Sequence, residues 1–377
     1  MDRADRITDL HTRAQTLRPD IDFSKCKVPS GSSSIKCRRY NSRNLEDCPR
    51  GSPSVDEGWV IHCLASTLVA NGYQIPAYVI AGPFPKRRDK ILGFLVAANT
   101  TQVSFRSDYV IGSIDKAEQD AFIFNTPSKA EGAKPEDLKI CTEAIDASIN
   151  NVPRAAKECD EYGSKLNDRE ISLTMKHVAV QKALYECDTH KNVNQLCYSN
   201  ATIDALRYAL ILEDDQYLPV TLQRQLVELI IQAPANVGIF MLDDSYSGTN
   251  GYFPPHHLAS TTGPYTNSWE KGRSRTCGAY LLSETAIHTM FDNGHWIPQR
   301  RVIDHSFNYI IRKESILTHW AYPPISCHGS RSLEIHPHGR RDCHQCCENF
   351  YDVTKMEPNW KHMVLVDSSN QEVLSFR

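Results

Sequence analysis

The segment Tyr208-Ala209-Leu210-Ile211-Leu212 runs without a break into Glu213-Asp214-Asp215. An apolar run this short and this uninterrupted reads as a strand buried on both faces, the kind found inside a mainly parallel sheet covered by helices. It delivers three carboxylates at its carboxyl end, which is where ligands collect in open α/β sheets. Adjacent carboxylates repel one another at neutral pH, and a divalent cation relieves that repulsion. Hard oxygen donors suit Mg²⁺ or Mn²⁺, ions that complete their shells with phosphate oxygens and water. Along an extended chain Glu213 and Asp215 share one side and Asp214 takes the other. The pattern fits a metal–diphosphate clamp; the alternatives are a solvated strand end or a helix-capping cluster.

The surrounding sequence is α/β in texture. Ala77–Ala81 reads as a buried strand ending at Gly82-Pro83, followed by a basic-fronted helix over Lys86–Leu95. Asp168 can cap a helix running to about Glu186, with Leu173, Val180 and Leu184 on one face. Pro219 opens a helix carrying Leu222, Leu226, Leu229 and Ile230, and Val237–Leu242 returns as a strand. Ser245–Ser274, rich in Gly, Ser, Pro and Tyr, is too long for a simple connection and is expected to be a functional loop. A helix over Ser283–Phe291, a further one over Ser306–Arg312 capped by Asp304, and a last strand over Ile316–Tyr322 complete the series.

The chain divides into a Cys-containing N-terminal extension (1–74), an α/β domain (75–335) and a Cys/His-rich C-terminal extension (336–377). Lys and Arg total 42 against 45 Asp and Glu, a formal charge of -3, so no overall basic field draws nucleic acid or anionic lipid. No apolar run reaches membrane-spanning length, and no transmembrane segment is expected. The N-terminus shows no signal peptide, which argues for the cytoplasm, whereas thirteen cysteines and the sequons at Asn99 and Asn200 fit a secretory lumen if the start is trimmed.

The acid-tipped strand resembles the aspartate motif of the family 25 glycosyltransferases, the lipopolysaccharide and collagen galactosyltransferase type. Further pieces follow in that family's order. Ala77-Tyr78-Val79-Ile80 with Lys86-Arg87-Arg88-Asp89 resembles its first strand and Arg-rich turn, and Leu173–His177 resembles the helix that carries Ser-His. Thr276–Ser283 resembles the glycine-tyrosine strand, Val302–His305 the later Val-Asp motif, and Tyr322–Ile325 the closing proline-rich segment. Two positions depart: Ala81 stands where the family has Asn, and Lys176 where it has Ser.

The resemblance implies a GT-A fold, a Rossmann-like mixed, mainly parallel sheet flanked by helices. It also implies transfer of a hexose from a nucleotide sugar, a UDP-sugar by expectation, to a hydroxyl of a glycan or protein acceptor with inversion. A metal held by Glu213 and Asp215, with His328 as third ligand, would neutralise the leaving diphosphate. Asp304 is the candidate base for the acceptor hydroxyl, with Asp243 and Asp244 as rivals for that role and a plain helix cap as the alternative reading of Asp304. Val79, Ile80, Arg87, Arg88, Asp214, Asp243 and Asp244 are the candidate donor-site residues. His319 is a weaker ligand candidate than His328, and His177 reads as a core histidine. A fold of this kind that binds without turnover remains an alternative.

Cys343-His344-Gln345-Cys346-Cys347, after His336 and His338, has zinc-ligand types. A structural zinc site normally draws on a second, distant pair, so a disulfide or plain thiols is the first reading and Zn²⁺ the second. A small zinc-dependent interaction module would explain this tail but not the ordered motifs. Cys26, Cys37 and Cys48 recur every eleven residues; chance spacing, a redox staple and a metal clip are all open.

Overall fold

The computed structural model describes residues 3–28, 55–106, 168–187, 197–199, 201, 206–243, 265–268, 277–293, 303, 307, 310–311, 314–322 and 325–328. Helices α1 (Arg3–Leu17) and α2 (Val55–Ala70) precede β1 (Ala77–Ile80), α3 (Pro85–Ala97) and β2 (Val103–Arg106). Then come α4 (Asp168–Tyr185), β3 (Tyr208–Glu213), β4 (Gln216–Tyr217), α5 (Leu222–Gln232) and β5 (Ile239–Met241). The described elements end with β6 (Tyr265–Ser268), β7 (Ala279–Ser283), α6 (Glu284–Asp292), β8 (Thr318–Tyr322) and β9 (Cys327–His328).

Among the described residues seven strands form one sheet in the order β2-β1-β3-β7-β5-β8-β6. β1 pairs in parallel with β2 and β3, and β5 pairs in parallel with β8. β7 runs antiparallel to both β3 and β5, and β6 antiparallel to β8. Five strands therefore share one direction and two oppose it, so the chain is α/β with a mixed, mainly parallel sheet. Strand β3 shows why its sequence is apolar on every residue. Tyr208, Leu210 and Leu212 enter one core, with side chains of α1, α2, α3 and α5; Ala209 and Ile211 enter the other, with α4, α6 and the helical residues Ile303, Phe307, Ile310 and Ile311. Two helical layers sandwich the sheet, and a strand covered on both sides must be apolar throughout.

The N-terminal helices belong to the first of these cores. Val60, Leu64 and Leu68 of α2 are fully buried, and α2 packs along α5. Each such Val or Leu contributes about 1.5–3 kcal/mol. Cys26 forms a disulfide with Cys63, Cα–Cα 5.5 Å, tying the chain after α1 to α2. Cys37 and Cys48, the other members of the eleven-residue series, lie outside the described residues. A second disulfide joins Cys187 to Cys197 after α4.

Several boundaries differ from expectation for local reasons. Helix α5 starts at Leu222, whose N–H donates to the Pro219 carbonyl at 3.0 Å, so Pro219 closes a preceding turn. Ser283 caps α6, its hydroxyl accepting the Ala286 N–H at 3.1 Å. The long Ser245–Ser274 stretch contains β6, an edge strand on β8. Among the described residues no helix is long and apolar enough to cross a membrane.

Candidate functional site

Strand β3 carries its acids to the rim between β1 and β7. Ile80 and Glu213 are register partners, and the Asp214 N–H donates to the Ile80 carbonyl at 3.1 Å. On the other side the Glu213 N–H donates to the Gly278 carbonyl at 2.8 Å. The extended chain ends at Glu213, and Asp214-Asp215 form a turn into β4, so the strict alternation expected of an extended strand does not reach Asp215.

Asp214 turns to the β1–α3 connection. Its Oδ2 accepts the Gly82 N–H at 2.6 Å, and Arg87 Nη1 of α3 lies 3.7 Å from its Oδ1. Burial raises the Asp214 carboxyl to about 6, and the neighbouring Asp215 and Glu213 push it the same way, while the Gly82 amide and Arg87 pull it down. Arg87 also lies over the half-exposed Phe84 ring, 4.5 Å from its centroid, and Arg88 over Phe105 at 4.7 Å.

Glu213 faces α4 instead. His177, fully buried, places Nε2 3.6 Å from Glu213 Oε1, while its Nδ1 meets the Tyr280 hydroxyl at 3.0 Å. Gln181, one turn along α4, donates to that same hydroxyl at 3.3 Å. Lys176 beside it is also buried, and its ammonium donates to the Ala81 carbonyl at 2.8 Å. The two departures from the family pattern, Lys176 and Ala81, therefore touch each other.

Asp215 and Asp243 flank the start of β7. The Gln216 amide lies 3.4 Å from Asp215 Oδ1, and Asp243 Oδ2 accepts the Gly278 N–H at 3.1 Å. A side chain at 278 would run into the Gln216 amide and come within 2.9 Å of Asp243 Oδ2, so only glycine allows both to approach this backbone. Pairing of β4 with β9 sets His328 opposite Gln216, one residue from Asp215. The side chain of His328 lies outside the described residues. Among the described residues no three His, Cys, Asp or Glu side chains form a metal-holding group. Glu213 and Asp215 carry oxygen donors of the type that a hard divalent cation takes, and the β4–β9 pairing brings the His328 backbone near them.

No family model and no curated protein matches the chain. What the rim can do rests on its own geometry. It gathers Glu213, Asp214, Asp215, Asp243, Arg87 and the Gly82 amide at the carboxyl ends of β1, β3 and β5. Val79 and Ile80 are core side chains on opposite faces of the sheet, and Ile80 reaches the rim through its carbonyl. Asp304, Asp244 and the Cys343–Cys347 cluster lie outside the described residues. His319 is buried beside Phe240, ring centroids 6.2 Å apart, and burial lowers it to about 4. Sequence reading missed Gly82, Gln216, Tyr280 and Gln181. For Gln181 the signal was present: it follows His177 by four residues, so two polar side chains share the inner face of α4.

Proposed function

We propose that the chain is a glycosyltransferase that moves a hexose from a nucleotide sugar, a UDP-sugar by choice, to a hydroxyl of a glycan or protein acceptor with inversion. The observation that carries this is the composition of the rim: Asp214 at the tip of β3 meets the Gly82 amide of the β1–α3 connection and the Arg87 guanidinium of α3, with Glu213 and Asp215 beside it in the chain. Carboxylates and anion-binding donors side by side suit a ligand that is a phosphate anion accompanied by a cation. The resemblance of the ordered motifs to family 25 adds to it.

In this reading Glu213, Asp215 and His328 hold Mn²⁺ or Mg²⁺, whose charge neutralises the departing diphosphate. Arg87 and Arg88 neutralise phosphate oxygens, and Asp243 and Asp244 contact the donor or acceptor sugar. Asp304 takes the acceptor hydroxyl proton. The test is turnover of a panel of nucleotide sugars with and without Mn²⁺. Release of nucleoside diphosphate is expected only with the metal, with loss of about 100-fold or more in Asp215→Ala and in Asp304→Asn. Undiminished turnover in Asp215→Ala would remove the metal role, and no turnover of any donor would remove the enzymatic reading.

One observation favours a second reading, a fold of this type that binds without turnover. The Lys176 ammonium occupies the Ala81 carbonyl just where the family pattern is broken twice. Nucleotide-sugar binding without product release would favour that reading.

A further inference from the structure

Glu213 is approached by a fully buried ring, that of His177. His177 Nε2 is inaccessible, makes no hydrogen bond, and points at Glu213 Oε1 from 3.6 Å. A buried polar group left in this state costs about 1–3 kcal/mol, so an unsatisfied Nε2 calls for a partner that arrives later. The other ring nitrogen decides which proton it carries. The Gln181 amide donates to the Tyr280 oxygen, so the hydroxyl proton is available to His177 Nδ1 at 3.0 Å. With Nδ1 accepting, a neutral imidazole has its proton on Nε2, aimed at Glu213. The ring cannot move, because it is stacked on Tyr280 at 5.8 Å between centroids and has no exposed surface, whereas the Glu213 side chain keeps 15% of its surface exposed.

We propose that His177 is a positioning residue for Glu213: the Gln181–Tyr280–His177 relay presents a fixed Nε2–H that takes one Glu213 oxygen when the donor nucleotide and its cation bind, leaving the other oxygen for the cation. The proposal rests on the reading of the β3 tip as the donor site. The gap of 3.6 Å is longer than a hydrogen bond and closes with a swing of the carboxylate by less than about 1 Å. Outer hydrogen bonds of this kind orient ligating side chains, and their loss costs about 10–100-fold in metal affinity.

The test is a double-mutant cycle read by calorimetric binding of UDP with and without Mn²⁺. His177→Leu is expected to weaken the Mn²⁺-dependent affinity about 10-fold and His177→Gln, which keeps an N–H near the Nε2 position, to recover part of it. In a Glu213→Gln background the same His177→Leu change is expected to have no further effect. An equal loss in both backgrounds overturns the positioning role while leaving the donor site in place. Failure of the unaltered protein to bind UDP with or without Mn²⁺ overturns the donor site and this role together. The imidazole ¹⁵N spectrum of the unaltered protein, with His177 assigned by difference against His177→Gln, gives a ligand-free check. It is expected to show Nε2 protonated, and a proton on Nδ1 overturns the relay.

Discussion

At the scale of single residues, buried charge sets the sharpest expectations. Glu228 of α5 has no exposed surface; its Oε1 accepts from Arg224 at 2.5 Å and lies 3.2 Å from His62 Nδ1 of α2. Burial raises it from an ordinary 4.5 to about 7, against the pull of Arg224. A carboxyl raised on folding contributes stability that is complete below about pH 4.5 and is lost as pH rises through about 7. Glu228→Gln, neutral throughout, is expected to gain on the unaltered protein by up to about 3 kcal/mol above neutrality and to gain nothing near pH 4.5. Thermal melts of both proteins across that range decide it, and parallel curves would assign the slope to another group. Gly278 makes a different demand, since any Cβ there displaces the Gln216 amide or the Asp243 carboxylate. Gly278→Ala is expected to cost about 1–3 kcal/mol and to weaken UDP binding. An unchanged melting temperature and affinity would show that the rim tolerates the methyl group.

At the scale of elements, legibility followed locality. β3, α5 and α6 could be read because their apolar spacing and caps lie within a few neighbouring residues. β2, Val103-Ser104-Phe105-Arg106, carries the alternation of an edge strand in four residues, too short to stand out without β1 beside it. β4 and β9, two residues each, exist only through their mutual pairing. The acid tip was legible because its carboxylates are consecutive, whereas the contact of His177 with Tyr280 joins residues 103 apart and leaves no local trace. The Cys26–Cys63 pairing was hidden in the same way, since connectivity does not follow from spacing. That bridge closes a separation of 37 residues, which by loop entropy is worth about 4 kcal/mol. A Cys26→Ala/Cys63→Ala variant is expected to lose stability of that order in denaturant titration. No loss would mean that packing alone docks α2.

At the scale of the whole molecule, the described part of residues 1–74 supplies part of the layer covering one face of the sheet. α1 and α2 place Leu10, Leu17, Val60, Leu64 and Leu68 in the same core as Leu210, Leu226 and Ile230. Removing three side chains such as Val60, Leu64 and Leu68 from contact forfeits roughly 5–9 kcal/mol, comparable with the entire stability of a domain. A chain starting at Ile75 is therefore expected to aggregate or to melt without cooperativity, and a sharp two-state transition for it by calorimetry would refute the shared core.

The hydrogen bond from Gly278 to Asp243 has an architectural consequence. It fastens Asp243, two residues after β5, to Gly278, the residue before β7, so the chain leaves and rejoins the centre of the sheet at adjacent points, while β6 within that span is held separately by its pairing with β8. Changes of sequence on either side of β6 therefore leave two fixed points in place, the Asp243–Gly278 closure and the β6–β8 ladder.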